Sequence, residues 1–102
     1  MKLEVLHIDD CPNWQAAGAR AEAALLEHGR SDIRVTYLLI DSTHLAAQTA
    51  FAGSPTLTLD GADIFPSEGH TSDLACRVYF SPQGMAGVPT QEQISDALGA
   101  LL

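Results

Sequence analysis

The sequence predicts an α/β fold with a four-stranded mixed sheet flanked by helices, in the order β-α-β-α-β-β-α. Short apolar or alternating runs, typical of strands, are separated by segments with apolar residues at helical spacings of three and four. Strands separated by helices favour parallel pairing, and an Asp60-Gly61 pair between apolar runs predicts an antiparallel hairpin at the edge. The chain has 102 residues, 46% of them hydrophobic, so we assign residues 1–102 to a single domain with its own core.

The first three elements are predicted from apolar runs and their terminators. Residues 3–8 are mostly apolar and predict a strand. Pro12 suits the first turn of a helix over residues 13–28, and Gly29 is the expected stop. Residues 33–40 give the strongest strand signal, and their apolar end predicts a strand covered on both faces near its C-terminus.

The middle of the chain predicts a short helix followed by a third strand. Ser42 or Thr43 can cap a helix that runs to about Phe51, with Gly53 as its terminator. Residues 56–59 alternate Thr and Leu, which is typical of a strand.

The Asp60-Gly61 turn fixes the register of the predicted hairpin, in which residues 62–65 form the fourth strand. In this register Leu59 faces Ala62 and Leu57 faces Ile64. The chain therefore returns by Pro66 to the end of the third strand that carries Pro55.

The last part of the chain predicts one helix and little other regular structure. Residues 66–75 and 81–89 are expected to be loops, and residues 76–80 a short extended or helical stretch. Thr90 and Gln93 form a capping box that begins the final helix.

Charge narrows the classes of partner. The formal net charge is −8, so nucleic acids and anionic membranes are repelled and are not expected partners. No apolar run approaches the roughly 18–20 residues that cross a bilayer. The alternating, charged N-terminus does not match a secretory signal, so we expect a cytoplasmic protein.

Three motifs carry a family resemblance that spans nearly the whole chain. They are Asp-Cys-Pro-Asn-Trp at residues 10–14, Gly-Ser-Pro-Thr opening residues 53–61, and Cys-Arg-Val-Tyr at residues 76–79. With the order of elements, they resemble the thioredoxin-like superfamily, and within it a group of short bacterial proteins, some labelled alkylmercury-lyase-like. The resemblance implies a cis Ser54–Pro55 bond facing a reactive cysteine. The chain departs from dithiol thioredoxins because Trp14 stands where their second cysteine would be.

Cys11 is the candidate nucleophile. It lies where the first helix is predicted to begin, and the unpaired N–H groups and dipole of a helix N-terminus lower the pKa of a thiol. Asp9 and Asp10 act in the opposite direction, so the helix prevails only if both carboxylates point to solvent. The structural alternative is a buried cysteine that caps the helix.

Cys76 is the candidate resolving thiol. Because the hairpin returns to the Pro55 end by Pro66, the ten residues that follow are long enough to bring Cys76 over Cys11. The hypothesis is a disulfide or a shared thiol site between the two cysteines. The alternative is that Cys76 packs in the core beside Val78 and Phe80.

Three functions remain open from the sequence. The first is a thiol–disulfide oxidoreductase-like protein that exchanges with a protein or with a small thiol or disulfide. The second is a soft-metal or organomercurial thiol site that uses the same cysteines, with Asp10 as proton donor. The third is a non-catalytic module that has kept the fold.

The predicted site residues follow from the resemblance. It implies catalytic roles for Cys11 and Pro55; Cys76 is assigned to catalysis because the chain is long enough to bring it to Cys11, and no cofactor is assigned. The residues assigned to substrate binding are Pro12, Trp14, Ser54 and Thr56. For Trp14, packing in the core is the alternative to shielding Cys11.

The histidines give weaker signals. A structural role is predicted for His7, His28 and His44. His70, with Glu68 and Asp73, precedes Cys76 and is a candidate to join it in a site. A metal site of Cys11, Cys76 and His70 would lack the close ligand pair typical of metal motifs, so we assign no metal ligands.

Overall fold

A computed structural model of the protein describes residues 1–66 and 74–102. The described residues form a mixed sheet, a separate hairpin and three helices. The elements in chain order are β1 (Lys2–His7), α1 (Trp14–Glu27), β2 (Arg34–Leu39), α2 (Thr43–Ala47), β3 (Thr56–Leu59), β4 (Ala62–Asp63), β5 (Tyr79–Ser81), β6 (Gly84–Ala86) and α3 (Gln91–Leu101).

The four-stranded sheet has the order β2-β1-β3-β4 and is mixed, as predicted. β1 pairs in parallel with β2, with Leu3 opposite Val35. β1 also pairs antiparallel with β3, where Leu3 lies opposite Leu59. The crossover through α1 therefore joins parallel neighbours, and the hairpin adds the antiparallel edge.

Two clusters of buried side chains lie on opposite faces of the sheet, because successive residues of β1 alternate between them. Leu3 and Val5 belong to the cluster beneath α1 and α3, which includes Ala21 and Leu98. Leu6 belongs to the second cluster, which we call the Cys11 cluster. Its members are Leu6, Ile8, Cys11, Ile40, Ala46 and Phe51.

The β3–β4 hairpin has the predicted register, with Leu59 opposite Ala62. Asp60 and Gly61 form the turn with φ of +51° and +89°, the conformation that an Asp-Gly hairpin turn requires. The strand itself is shorter than predicted, although the N–H of Ile64 still donates to Leu57 at 3.0 Å.

The prediction that both faces of β2 are covered near its C-terminus is wrong. β2 is an edge strand, and the side chain of Leu39 is 38% exposed. Its apolar end leads to Ile40, which is buried in the Cys11 cluster beyond the strand. A strand covered on both faces and an edge strand whose end continues into a core both end in an apolar run. The sequence pattern alone therefore did not distinguish them.

α2 and α3 begin at predicted caps, whereas the prediction that Pro12 lies in the first turn of α1 is wrong, because that helix begins at Trp14. Ser42 is the cap of α2 and accepts a hydrogen bond from the N–H of Leu45 at 3.1 Å, but α2 ends at Ala47 rather than near Phe51. Thr90 and Gln93 form the predicted capping box of α3. No helix within residues 1–66 and 74–102 has the length and apolar character needed to span a bilayer.

The prediction of a loop over residues 81–89 is wrong in part, because β6 pairs with β5 there. Gly84 begins β6 with φ of +114°, which glycine adopts without a side-chain clash. Phe80 of β5 lies opposite Met85 of β6, and both are exposed. The extended alternative predicted for residues 76–80 is confirmed where β5 begins at Tyr79.

Candidate disulfide site

Cys11 lies between β1 and α1 and has no exposed surface. It packs in the Cys11 cluster with Ile8 and Phe51 among its members. The candidate nucleophile is therefore closed to solvent in this structure. α1 begins three residues further on, at Trp14, so Cys11 precedes the helix instead of capping it.

Cys76 forms a disulfide with Cys11, with the two Cα atoms 6.1 Å apart. This confirms the hypothesis of a pair and overturns the alternative that Cys76 packs in the core. Cys76 is exposed, and Val78 and Phe80 are 54% and 75% exposed. The disulfide thus joins a buried cysteine to an exposed one.

Backbone hydrogen bonds hold the segment around Cys76 against Ser54. The N–H of Ser54 donates to Ala75 at 2.8 Å, and the N–H of Arg77 donates to the carbonyl of Ser54 at 2.9 Å. The result is a parallel bridge between Ser54 and Cys76. The position of Cys76 is therefore set by its backbone as well as by the sulfur bond.

The peptide bond between Ser54 and Pro55 is cis, and both residues are buried. The Ser54 hydroxyl accepts a hydrogen bond from the N–H of Ile8 at 3.1 Å. The carbonyl of Pro55 accepts one from the Tyr79 phenol at 2.5 Å. This turn is thus connected to the strand that leads to Cys11 and to the segment that carries Cys76.

Arg77 holds the segment around Cys76 in place through contacts with three other residues. Its guanidinium donates to the Asp63 carboxylate at 2.9 Å and to the carbonyl of Phe65 at 2.5 Å. It also lies 4.7 Å from the centre of the Tyr79 ring. Both partners of the ion pair are mostly buried, with side-chain exposures of 8% for Arg77 and 12% for Asp63.

Gly53 makes the close approach to Arg77 feasible. A Cβ at Gly53 would lie 2.8 Å from the Cβ of Arg77, and the residue has φ of +110°. Glycine is favoured on both grounds, because any side chain would clash and would strain the backbone. The prediction that Gly53 ends the second helix is wrong, because α2 ends at Ala47, and the glycine instead permits this close approach beside the disulfide.

Tyr79 is the titratable group of the site whose ionisation is most changed by the fold. Burial raises the pKa of its phenol, although the nearby Arg77 guanidinium lowers it. The phenol therefore stays protonated at neutral pH and can donate to Pro55. Asp9 and Asp10 are both exposed.

The residues predicted to bind substrate differ in their exposure to solvent. Pro12 is exposed, whereas Ser54 and Thr56 are buried. The Thr56 hydroxyl donates to Gly53 at 2.6 Å, and it accepts from the N–H of Ala52. Their assignment to substrate binding stays a prediction, and Ser54 and Thr56 already have partners within the fold.

Trp14 packs against the cluster beneath α1 and α3, as its structural alternative predicts. Its ring stacks on His7 with centroids 4.5 Å apart and meets Tyr37 edge-on at 5.3 Å. His28 bonds through Nε2 to the carbonyl of Ser95 at 2.8 Å. His7 and His28 thus have structural contacts.

The remaining candidates do not form a metal-ligand set within the described part of the chain. His44 is exposed on α2. His70, Glu68 and Asp73 lie outside the described residues. Among the residues the structure describes, no three His, Cys, Asp or Glu side chains are grouped as metal ligands would be.

Arg77, Tyr79 and Asp63 were not predicted as site residues. The signal was present in Cys-Arg-Val-Tyr, because Arg77 and Tyr79 are two residues apart and share one face of an extended segment.

Comparisons with protein-family models, with curated proteins and with solved structures found no match to this chain. The support for a function therefore comes from the geometry of the disulfide and from the resemblance of the motifs.

Proposed function

We propose that the protein is a thiol–disulfide exchange protein of the thioredoxin-like type, working through the Cys11–Cys76 pair. The observation that carries the proposal is the disulfide itself, which joins the β1–α1 junction to a segment paired with the cis Ser54–Pro55 turn. In the resemblance, a cysteine at this junction faces a cis proline. The proposal extends that chemistry to a partner cysteine outside the usual Cys-x-x-Cys spacing.

Exchange needs two balanced displacements at sulfur. A thiolate attacks one sulfur of the disulfide, the Cys11–Cys76 bond breaks, and the electron pair leaves with the other sulfur. A second thiolate then displaces the protein from the mixed disulfide. The protein gains two electrons and two protons, and the two attacking thiols become a disulfide; the reverse sequence reduces a disulfide.

The frame around Cys76 supports reversible exchange because it does not depend on the sulfur bond. The bridge to Ser54 and the ion pair between Arg77 and Asp63 do not involve the sulfurs, so we expect them to remain when the cysteines are reduced. A reduced pair held close together can reform its bond after releasing a partner.

The test is an exchange assay on wild type, Cys11→Ser and Cys76→Ser. We expect wild type to accelerate the reduction of a peptide disulfide by dithiothreitol by about tenfold or more, and each variant to lose this acceleration. Circular dichroism of the variants checks that they are folded. Equal activity in wild type and Cys11→Ser would instead favour the non-catalytic module.

The organomercurial and soft-metal alternative uses the same assay with Hg²⁺ as the probe. Protection of both thiols by Hg²⁺ without turnover of the peptide disulfide would favour that alternative. Thiol exchange is preferred because the cysteines are joined in a disulfide and the described residues offer no third soft ligand beside them.

A further inference from the structure

The two sulfurs of the disulfide differ in access. Cys11 is fully buried among apolar side chains, whereas Cys76 lies on an exposed segment. An attacking thiolate approaches in line with the sulfur–sulfur bond, from behind the sulfur that it attacks, so access selects the target. An attack on Cys11 has to pass the buried side chains of the Cys11 cluster, whereas Cys76 is an exposed residue.

The side chains around Cys76 alternate between inside and outside. Arg77 and Tyr79 are buried at 9% and 6% exposure, while Val78 and Phe80 are 54% and 75% exposed. This is the two-residue period of extended chain, and Cys76 is an exposed position in the same period as Val78 and Phe80.

Met85 continues the same apolar face onto the neighbouring strand. It lies directly opposite Phe80 in the β5–β6 pair, so both side chains project to the same side, and Met85 is 69% exposed. We call Cys76, Val78, Phe80 and Met85 the Cys76 face. Single exposed apolar residues are common, but adjacent ones beside a cysteine form a patch typical of an interaction site.

The backbone beside this face has an edge that the fold leaves without a described partner. The Ala75 carbonyl and the Arg77 N–H both bond to Ser54. In extended chain the groups of the intervening residue point the other way, so those of Cys76 face away from Ser54. None of residues 1–66 or 74–102 bonds to them, and an extended segment can add there as a strand.

Charge favours one class of partner over another. The protein carries a net charge of −8, and the exposed Asp9 and Asp10 directly precede Cys11. A small anionic thiol such as glutathione is repelled by this field, whereas a basic or neutral polypeptide is not. Apolar contacts with the Cys76 face also need a partner with side chains of its own.

We propose that Cys76, rather than Cys11, is the sulfur that exchanges with the partner, and that the partner is a polypeptide presenting its cysteine in an extended apolar segment on the Cys76 face. The inference rests on the proposed exchange function. The partner thiolate attacks Cys76 Sγ, the Cys11–Cys76 bond breaks, and the electron pair and a proton pass to Cys11. In the opposite direction the Cys76 thiolate attacks a partner disulfide, and Cys11 then releases the reduced partner and reforms the bond.

The role of Cys76 is tested by trapping. The probe is a short peptide with one central cysteine, Phe and Leu beside it and Lys at each end. Oxidised wild type is mixed with this peptide, quenched in acid and mapped by mass spectrometry. The mixed disulfide is expected on Cys76, and a mixed disulfide mainly on Cys11 would overturn the assignment.

Single-cysteine variants provide an independent reading. We expect the free thiol of Cys76 in Cys11→Ser to react with the thionitrobenzoate disulfide of the peptide at least about tenfold faster than that of Cys11 in Cys76→Ser. In denaturant the two rates should converge. Faster native reaction of Cys11 would overturn the inference.

The partner class is tested with a matched peptide in which Ser replaces the Phe and Leu. We expect wild type to react about tenfold faster with the apolar peptide than with the matched peptide. In the double variant Phe80→Ser and Met85→Ser, the ratio of these two rates should fall to near one. Leu26→Ser is the control, because Leu26 is 67% exposed on α1 and outside the Cys76 face. Equal rates with the two peptides in wild type would overturn the docking surface alone. A disulfide that exchanges with neither peptide nor dithiothreitol would overturn the proposed function itself.

Discussion

Ser54 and Cys76 lie side by side in a parallel bridge that brings the two distant parts of the disulfide site together. The hydroxyl of Ser54 accepts from the N–H of Ile8, three residues before Cys11, and its backbone bonds to both neighbours of Cys76. One buried residue therefore positions both cysteines. The disulfide thus spans a site whose parts are also joined by hydrogen bonds.

Reduction of the disulfide should lower the free energy of unfolding without unfolding the protein. The bond joins cysteines 65 residues apart in the sequence. Closing a loop of this length is worth about 4 kcal/mol through the entropy of the unfolded chain. Urea denaturation with and without dithiothreitol measures the difference. Loss of the native circular dichroism spectrum on reduction, with no denaturant present, would identify the disulfide as a structural requirement.

Breaking the ion pair between Arg77 and Asp63 should destabilise the protein strongly. Either Arg77→Met or Asp63→Ala leaves a mostly buried charge without its partner, at a cost of about 3 kcal/mol. The double variant should cost clearly less than the sum of the two, because neither charge is left alone. Arg30→Met is the control, since the pair between Arg30 and Asp32 is exposed, and we expect no measurable change. Additive losses in the denaturation cycle would contradict this account of the anchor.

Gly53→Ala should be more costly than Gly84→Ala. The two glycines have similar φ, +110° and +114°, so the backbone strain is matched. A Cβ at Gly53 meets the backbone and Cβ of Arg77, whereas nothing lies within 4 Å of a Cβ at Gly84. We expect an additional loss of about 1–3 kcal/mol at Gly53, typical of overpacking. Equal melting temperatures for the two variants would show that the Cys76 segment is free to move aside.

Two threonines of β3 should respond in opposite directions to replacement by valine. The Thr56 hydroxyl has two hydrogen bonds, and its loss should cost about 1–3 kcal/mol. The Thr58 hydroxyl is buried and has no hydrogen-bond partner among the described residues, so Thr58→Val should stabilise the protein by up to about 1 kcal/mol. Chemical denaturation of both variants checks the signs, and a destabilised Thr58→Val would refute this reading of its surroundings.

Stability should fall above about pH 10, where the tyrosines of the unfolded chain ionise. Burial raises the pKa of Tyr79 in the folded state, so the folded protein holds a proton that the unfolded chain releases. Its stabilisation is fully present below the ordinary tyrosine pKa and is lost as pH rises, by at most about 1.4 kcal/mol per pH unit. Tyr79→Phe should flatten the decline. Tyr37→Phe should flatten it less, because Tyr37 is 45% exposed although burial also raises its pKa. Identical slopes in wild type and Tyr79→Phe would contradict this assignment.

Local sequence signals predicted the mixed sheet and its hairpin well. The Asp60-Gly61 turn gave the register from Leu59 to Ala62, and in this register Cys76 is able to reach Cys11, with which it forms the disulfide. These predictions succeeded because turn geometry and strand alternation are short-range properties. The capping box at Thr90 succeeded for the same reason.

Long-range packing could not be predicted in the same way. The burial of Cys11 depends on Ile40 and Phe51, which come from separate parts of the chain. The β5–β6 hairpin was missed because Phe80 and Met85 are exposed, so its hydrophobic pattern does not point to the core. The pairing of Arg77 with Asp63 also required knowing which segments meet.

The rate at which dithiothreitol reduces the disulfide in native buffer decides whether the Cys11–Cys76 bond exchanges in the folded protein. If the disulfide exchanges within the folded protein, the rate rises in proportion to dithiothreitol concentration and exceeds the rate of global unfolding obtained from denaturant jumps. A reduction rate that reaches a plateau at the unfolding rate would show that the bond is protected by the fold and opens only when the protein unfolds.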